Sequence, residues 1–504
     1  MMSNQNTSNL QNNEIMPSID ENLLFLKNAL GDSIGLNECK LKILGGNIEI
    51  GIAYIESICD KELIRQHVIT PLQNQSLNLN FSGNDITALI QTFYISLVNT
   101  QKTNLMKNAI DELLKGNTLL FFDNSNNALI IESQKIEKRA ISAPENESTI
   151  LSSRESFIED IDTNSSMIIK RLPIPNLQFK TFTVGKLSRT TLKLIWIEGI
   201  ANCKLLNEVE SRLNNIDIDM VDGVGVLAEL INDKPTGIFT TYQQTERPDV
   251  ATKRLSEGHF CILCNNSPFA LICPTTFWDN FKTMDDYSES PAASSLLRII
   301  RFIAFIIATI ISPLYLSSVT YNHTIVPPSL ALNISVGRDG VPFPSIIELI
   351  GMTLIIDIIR EAGIRMPGMI GYFIGTLGAV IIGQAAVTAG YVSASLIIVV
   401  AFSAIASFAI SSTILVNPSR LINYFLILLS GVFGMFGFLN GIFIIFWRLA
   451  TLESFGVPYL YPVIPVEFGG WKDIFFRAPF RLLKNRLNLM SPINNKRIGN
   501  KNNK

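Results

Sequence analysis

MPGMIGYFIGTLGAVIIGQAAVTAGYVSASLIIVVAFSAIASFAISSTILVNPS, residues 366–419, runs for 54 positions between Arg365 and Arg420 without one Asp, Glu, Lys, Arg or His. At about 1.5 Å of rise per residue, that is enough helix for two crossings of a hydrocarbon layer about 30 Å thick. Its first half carries Gly371, Gly375, Ala379 and Gly383 at spacings of four, a stripe of small residues that lets a second backbone come close. Its second half sets Ser403, Ser407 and Ser411 on one face by the same spacing, and such hydroxyls need a partner helix, their own backbone or water. Two uses fit these residues: helix packing, or a wetted path lined by Gln384, Thr388 and the three serines.

On either side lie further apolar runs. Leu296–Val319 predicts a crossing kinked at Pro313, and Leu421–Trp447 predicts another. Between them, Ile346–Ile359 is shorter and carries Glu348 and Asp357, followed by Arg360 and Glu361. Nine positions separate the two acids, about 180° around a helix, so no single polar face holds both. Either this segment, 345–362, is an interfacial or re-entrant helix, or one of its acids lines an ion path. Treating it as non-spanning gives four crossings in a bundle over 296–450.

Charge divides the chain. Residues 1–295 hold 25 Lys and Arg against 36 Asp and Glu, while residues 472–504 hold nine bases against Asp473 alone. With 17 % charged residues and a positive mean hydropathy, the chain is too apolar for a wholly soluble protein and too charged for a membrane protein throughout. The basic tail, 451–504, reads as a cytoplasmic anchor beside a membrane, and Arg298 and Arg301 flank the first crossing on the same side. Residues 1–19, rich in Asn and Ser without an apolar core, predict a disordered tail rather than a signal peptide, so the acidic region also lies in the cytoplasm with its six cysteines reduced.

Within that acidic region one offset of 142 residues aligns several short stretches. Ile55-Glu56 matches Ile197-Glu198, Gly83 matches Gly225, Gly116 matches Gly258, and Ala128-Leu129-Ile130 matches Ala270-Leu271-Ile272. The expected architecture is a duplicated α+β or α/β domain, 20–133 and 184–290, joined by a linker at 134–183 and followed by the α-helical transmembrane bundle. The duplication also weighs the tempting motifs. Cys261 and Cys264 align with Leu119 and Phe122, which makes them strand residues rather than half of a zinc site. Gly223-x-Gly225-x-x-Ala228 is a loose dinucleotide fingerprint whose counterpart at Gly83 lacks the pattern. No catalytic constellation, cofactor site or metal site emerges, so the chain is not expected to be an enzyme.

Thr245-Glu246-Arg247-Pro248-Asp249 has no counterpart in the first repeat and reads as a salt-bridged turn. Together with Ile197-Glu198-Gly199-Ile200-Ala201-Asn202, Arg360-Glu361-Ala362-Gly363-Ile364-Arg365-Met366-Pro367, Ile382-Gly383-Gln384-Ala385-Ala386-Val387 and Ser454-Phe455-Gly456-Val457-Pro458-Tyr459-Leu460, it carries a family likeness over about residues 150–485. On these motifs the chain resembles the A subunit of the GerA-type spore germinant receptors. Residues 1–45 match poorly, and Arg154-Glu155-Ser156-Phe157 replaces a more Gly-rich version of one motif.

The resemblance implies a non-enzymatic, multi-pass subunit of the spore inner membrane. Its implied partners are a transporter-like B subunit, a lipoprotein C subunit, membrane lipids and further copies of itself, which form or gate a cation channel. Small nutrients would act mainly through the B subunit. Two other functions remain open on the residues: a secondary transporter with a cytoplasmic regulatory domain, although no inverted repeat is visible in 296–450, and a structural scaffold.

Overall fold

The structure, a computed structural model, describes residues 14–31, 34–43, 48–71, 100–135, 147, 151–234, 236–365, 382–490 and 494–497. Gly83, Gly371, Gly375, Ala379 and most of the N-terminal tail fall outside the described residues. The chain divides into two compact units. The first spans 1–232, 244–274 and 485–504, and the second spans 233–243 and 275–484.

The first unit contains two five-stranded antiparallel sheets. In the first sheet, β1 (Leu36–Ile43), β2 (Ile48–Ile55), β3 (Thr100–Thr103), β4 (Thr118–Phe122) and β5 (Ala128–Ile131) lie in the order β1-β2-β4-β5-β3. Helices α1 (Ile19–Leu30) and α2 (Met106–Leu114) belong to this half. Alternate residues of β4 enter different cores. Leu119 and Phe121 join a cluster with Leu23 and Leu26 of α1, whereas Leu120 and Phe122 join one with Ile64 and Val68. A strand covered on both faces keeps the period of two but loses polar alternation, which is why β4 reads TLLFF.

The second sheet has the same order, β6-β7-β9-β10-β8, from β6 (Leu177–Val184), β7 (Thr190–Ile197), β8 (Gln243–Thr245), β9 (Phe260–Cys264) and β10 (Ala270–Cys273). Its helices include α3 (Ile161–Arg171), α4 (Cys203–Asn214), α5 (Val224–Ile231) and α6 (Pro248–Ser256). The stretch expected as a linker, 134–183, therefore holds α3 and most of β6. Asn22 and Asn164 sit 142 residues apart and perform the same task. The side chain of Asn22 accepts from Met16 N at 2.9 Å and donates to Met16 O, and that of Asn164 accepts from Ile158 N at 2.8 Å and donates to Ile158 O. Each amide pins the entering chain to the first turn of its helix, satisfying backbone groups that burial would otherwise orphan.

Part of the basic tail also belongs to this unit. Arg486 Nε donates to Ser256 O at 2.7 Å, Arg497 pairs with Glu257 at 3.2 Å, and Asn202 Nδ2 donates to Leu489 O. Through Arg486, Leu489 and Arg497 the basic tail is thus hydrogen-bonded to the C-terminal end of α6 and to the start of α4.

The second unit is helical: α7 (Pro291–Thr320), α8 (Pro328–Arg338), α9 (Ser345–Arg365), α10 (Ala394–Phe408) and α11 (Thr413–Ala450). Among the described residues two helices, Pro291–Thr320 and Ile414–Ala450, are long and apolar enough by length and composition to cross a membrane. The second of these is not straight. Gly434 has φ 61° and ψ −141°, a left-handed conformation that reverses the helix. The returning arm lies so close that a Cβ on Gly437 would stand 2.1 Å from Leu429 O. Leu421–Trp447, expected as one crossing, is thus a hairpin of arms 413–433 and 435–450.

Contacts within this unit define two ends. At one, Tyr321 donates to Gly431 O at 2.8 Å, Ile346 meets Gly431, and Glu348 accepts from Ser393 N. At the other, Phe302 and Phe305 stack against Phe281, and Ser411 donates to Asn280 O. So α7 and the first arm of α11 run one way, while α9, α10 and the second arm run back. The chain entering α7 is clamped to the chain following α11. Arg298, 1 % exposed, pairs with Asp286 at 3.2 Å and Asp473 at 3.0 Å, Arg301 pairs with Asp286, and Phe277 N donates to Tyr459 O. Arg298 and Arg301, the bases at the start of the first expected crossing, are buried and half-buried ion-pair partners.

Candidate functional site

Between α7, α9, α10 and the first arm of α11 lies a cavity of about 40 Å³. Its lining includes Ser312, Asp357, Arg360, Ser403, Ser407, Arg420, Asn423 and Tyr424. Helical spacing explains the assembly. Asp357 and Arg360 are three apart on α9, Ser403 and Ser407 four apart on α10, and Arg420, Asn423 and Tyr424 fall at i, i+3 and i+4 on α11. Asp357 is held from three directions: the Tyr424 hydroxyl donates at 2.8 Å, Arg420 Nε lies 3.5 Å away and Arg360 Nη1 3.9 Å. Arg360 Nη2 donates to Ser407 Oγ at 2.5 Å, and its guanidinium lies 4.6 Å from the centre of the Phe408 ring.

Ser403 and Asn423 have another task. Pro313, inside α7, brings no N–H, so the carbonyl of Thr309 lacks its helical donor. Asn423 Nδ2 donates to Ala308 O at 3.0 Å and to Thr309 O at 3.3 Å, and Ser403 Oγ donates to Ala308 O at 3.0 Å. These side chains repair the kink, the arrangement that apolar surroundings demand of a broken helix.

The candidate ion-path residues do not form one file. Asp357, Ser403 and Ser407 meet in the cavity. Glu348 stands apart near the other end of α9, buried, with Oε1 accepting from Ser393 N at the start of α10 and Oε2 3.8 Å from Arg338. Ser411 donates to Asn280 O, Gln384 is exposed, and the Thr388 hydroxyl turns back to the Gln384 carbonyl. Of the small-residue stripe only Gly383 is described; it is buried, and a Cβ there would meet Ile397 at 3.9 Å, ordinary contact. Arg420, Asn423 and Tyr424 were not singled out from sequence. The run Pro418-Ser419-Arg420-Leu421-Ile422-Asn423-Tyr424, a cation, an amide and a phenol on one face after a proline, carries the signal.

In the first unit the 245–249 motif is a closed clasp. Arg247, 1 % exposed, forms a bidentate pair with Asp249 (Nε–Oδ1 3.0 Å, Nη2–Oδ2 2.6 Å) and donates from Nη1 to Glu147 O. Pro248 occupies the first turn of α6, where a missing N–H is harmless, and Glu246 O accepts from Phe157 N at 2.7 Å. Thr245 Oγ1 donates to Glu147 Oε2 at 2.6 Å. Burial pushes the Glu147 carboxyl up to about 7, against the opposing pull of the Thr245 hydroxyl and Arg247. Glu361, also in a shared motif, pairs with Arg365 on the surface of α9. Cys261 and Cys264, three apart on β9, point to opposite faces of the sheet, which rules them out as one chelating pair. Burial raises their thiols to about 12 and about 11.

Residues 25–489 match the family described as Bacillus/Clostridium GerA spore germination protein. The chain belongs to the GerA spore germination protein family. It is 35 % identical to spore germination protein KA of Bacillus subtilis (strain 168), over 92 % of this chain and 85 % of that protein. It is also 32 % identical to GerLA of Bacillus cereus, over 94 % of this chain and 96 % of the relative, and 33 % identical to spore germination protein B1 of Bacillus subtilis (strain 168), over 96 % and 99 %. A crystal structure of the N-terminal domain of the A subunit of the Bacillus megaterium spore germinant receptor GerK3 is 27 % identical, covering 53 % of this chain and 98 % of its own, at a TM-score of 0.43.

Proposed function

We propose that this GerA-family chain is the A subunit of a nutrient-sensing germinant receptor in the spore inner membrane. In this reading, copies of it assemble with a transporter-like B subunit and a lipoprotein C subunit to form or gate a cation path. Family membership supports the germinant receptor, and the path of the chain supports the membrane arrangement. Residues 244–274 and 485–504 belong to one compact unit, so the helical segment inserted between them leaves a membrane on the side where it entered. An even number of crossings follows. The alternation of α7, α9, α10 and the two arms of α11 supplies five passes among the described residues, so an even count exceeds the four expected from hydropathy. Both termini then share the cytoplasmic side.

Three of the residues expected on an ion path act differently in this reading. Asp357 is the counter-ion of two arginines, Ser403 repairs a kink, and Glu348 caps α10, so a cation path runs elsewhere, for example along surfaces that copies of the chain present to one another. Against the transporter alternative stands the hairpin at Gly434, which has no inverted counterpart among the described helices. The test is a planar-bilayer recording of the purified A subunit with its B and C partners. Nutrient-dependent cation current that requires this chain supports the proposal. Undiminished current without it overturns the channel role, and silence under all conditions favours the scaffold.

A further inference from the structure

Two guanidinium groups face one carboxylate in the cavity between α9, α10 and α11, so the charged groups of its walls sum to one uncompensated positive charge. The carboxylate is already engaged by Tyr424 and lies 3.5 Å from Arg420. Arg360 is nine-tenths buried and gives Nη2 to Ser407, but its Nε has no acceptor; the Nε of Arg420, also buried, has none either, 3.5 Å being too long for a hydrogen bond there. Ser403 and Asn423 are directed to the carbonyls of α7. A buried cation without full compensation is unfavourable, and an anion beside it restores neutrality. At about 40 Å³ the cavity exceeds the ~10–15 Å³ that one water requires, which is room for one small ion.

We propose that this cavity binds one small monovalent anion, of chloride size, through the Nε–H groups of Arg360 and Arg420. The site is independent of the channel reading, since it concerns the stability of one chain rather than current through an assembly.

The experiment is thermal unfolding of the full chain in detergent, followed by intrinsic fluorescence, in sodium chloride, sodium bromide or sodium gluconate at constant sodium. The expected result is a Tm that rises by about 2–4 °C with chloride or bromide and then levels off, with no such rise in gluconate. Asp357→Asn removes the competing negative charge and is expected to lower the chloride midpoint about tenfold. Arg420→Gln is expected to abolish the halide response, and Arg420→Lys, which keeps the charge without the Nε–H, to weaken it by about fivefold or more. Superimposable chloride and gluconate curves would mean a water-filled cavity and overturn the proposal. So would a halide response that survives both Arg420 variants, or one that Asp357→Asn weakens.

Discussion

In the twin sheets, buried backbone groups pair strand to strand, and the side chains that assist are placed twice in the same way, Asn22 and Asn164 each closing a loop onto its own helix. In the helical unit, polar side chains gather where a helix fails: Ser403 and Asn423 at the Pro313 kink, Tyr321 beside the Gly434 reversal. A repeated sheet distributes its hydrogen bonds and tolerates the loss of one. A bundle of apolar helices depends on a few points, and the contrast is open to test at each of them.

The largest effect is expected at the reversal. Gly437→Ala places a Cβ 2.1 Å from the Leu429 carbonyl, a backbone atom that cannot swing away. The loss is expected to exceed about 4 kcal/mol, seen as failure of the chain to accumulate in the membrane fraction. Gly351→Ala, on α9 with nothing within 4 Å of the new atom, is the matched control and should stay within about 1 kcal/mol of the parent. If the two variants accumulate equally, the hairpin is wrong.

Next comes the clasp of the second repeat. Arg247→Ala leaves Asp249 buried without its bidentate partner, at about 3–5 kcal/mol. Hydrogen exchange over 248–256 in the full chain should accelerate about 100-fold or more, while residues 106–114 of the first repeat keep their protection. Equal acceleration in both helices would show that the repeats do not open separately.

The same clasp sets a pH dependence. Glu147 titrates near 7 in the folded chain against an ordinary value of 4.5, so between those values the unfolded chain releases its proton while the folded chain retains it. Stability therefore falls as pH rises from about 4.5 to about 7 and is level above. Glu147→Gln removes that loss and should be more stable than the parent by about 1–3 kcal/mol at pH 8, with no difference near pH 4. A Tm difference that does not grow with pH would place the carboxylate in water.

Much of the sheet architecture was legible because strands impose a period and duplication preserves it: the offset of 142 residues falls on Ile19 and Ile161, Thr118 and Phe260, Ala128 and Ala270. Helix α3 was not legible. Its sequence, IDTNSSMIIKR, looks like a linker, yet Thr163, Asn164, Ser165 and Ser166 are buried, and the two serine hydroxyls donate to carbonyls of their own helix. The reversal of α11 was hidden for the opposite reason. Hydropathy sums residues and is blind to direction, so a turn inside an apolar run leaves only Gly431, Gly434, Gly437 and Gly441 as its trace. The cavity cluster needed three helices to meet, and Arg420 appeared in the sequence only as the border of a charge-free stretch.

The smallest effect is the most specific to the contrast. Asn423→Ala withdraws the donor shared by the Ala308 and Thr309 carbonyls and is expected to lower stability by about 1–2 kcal/mol, and Ser403→Ala by about 0.5–1 kcal/mol, in the thermal unfolding of the detergent-purified chain. Both values follow from the kink rather than from an intrinsic value of either side chain. In a Pro313→Ala background the helix regains the N–H that bonds Thr309 O, so Asn423→Ala should then be nearly neutral. The cycle over Asn423 and Pro313 should return a coupling of about 1 kcal/mol. Additive losses would mean that Asn423 serves the cavity and not the kink, and the polar residues of the bundle would then gather around a ligand rather than around a broken helix.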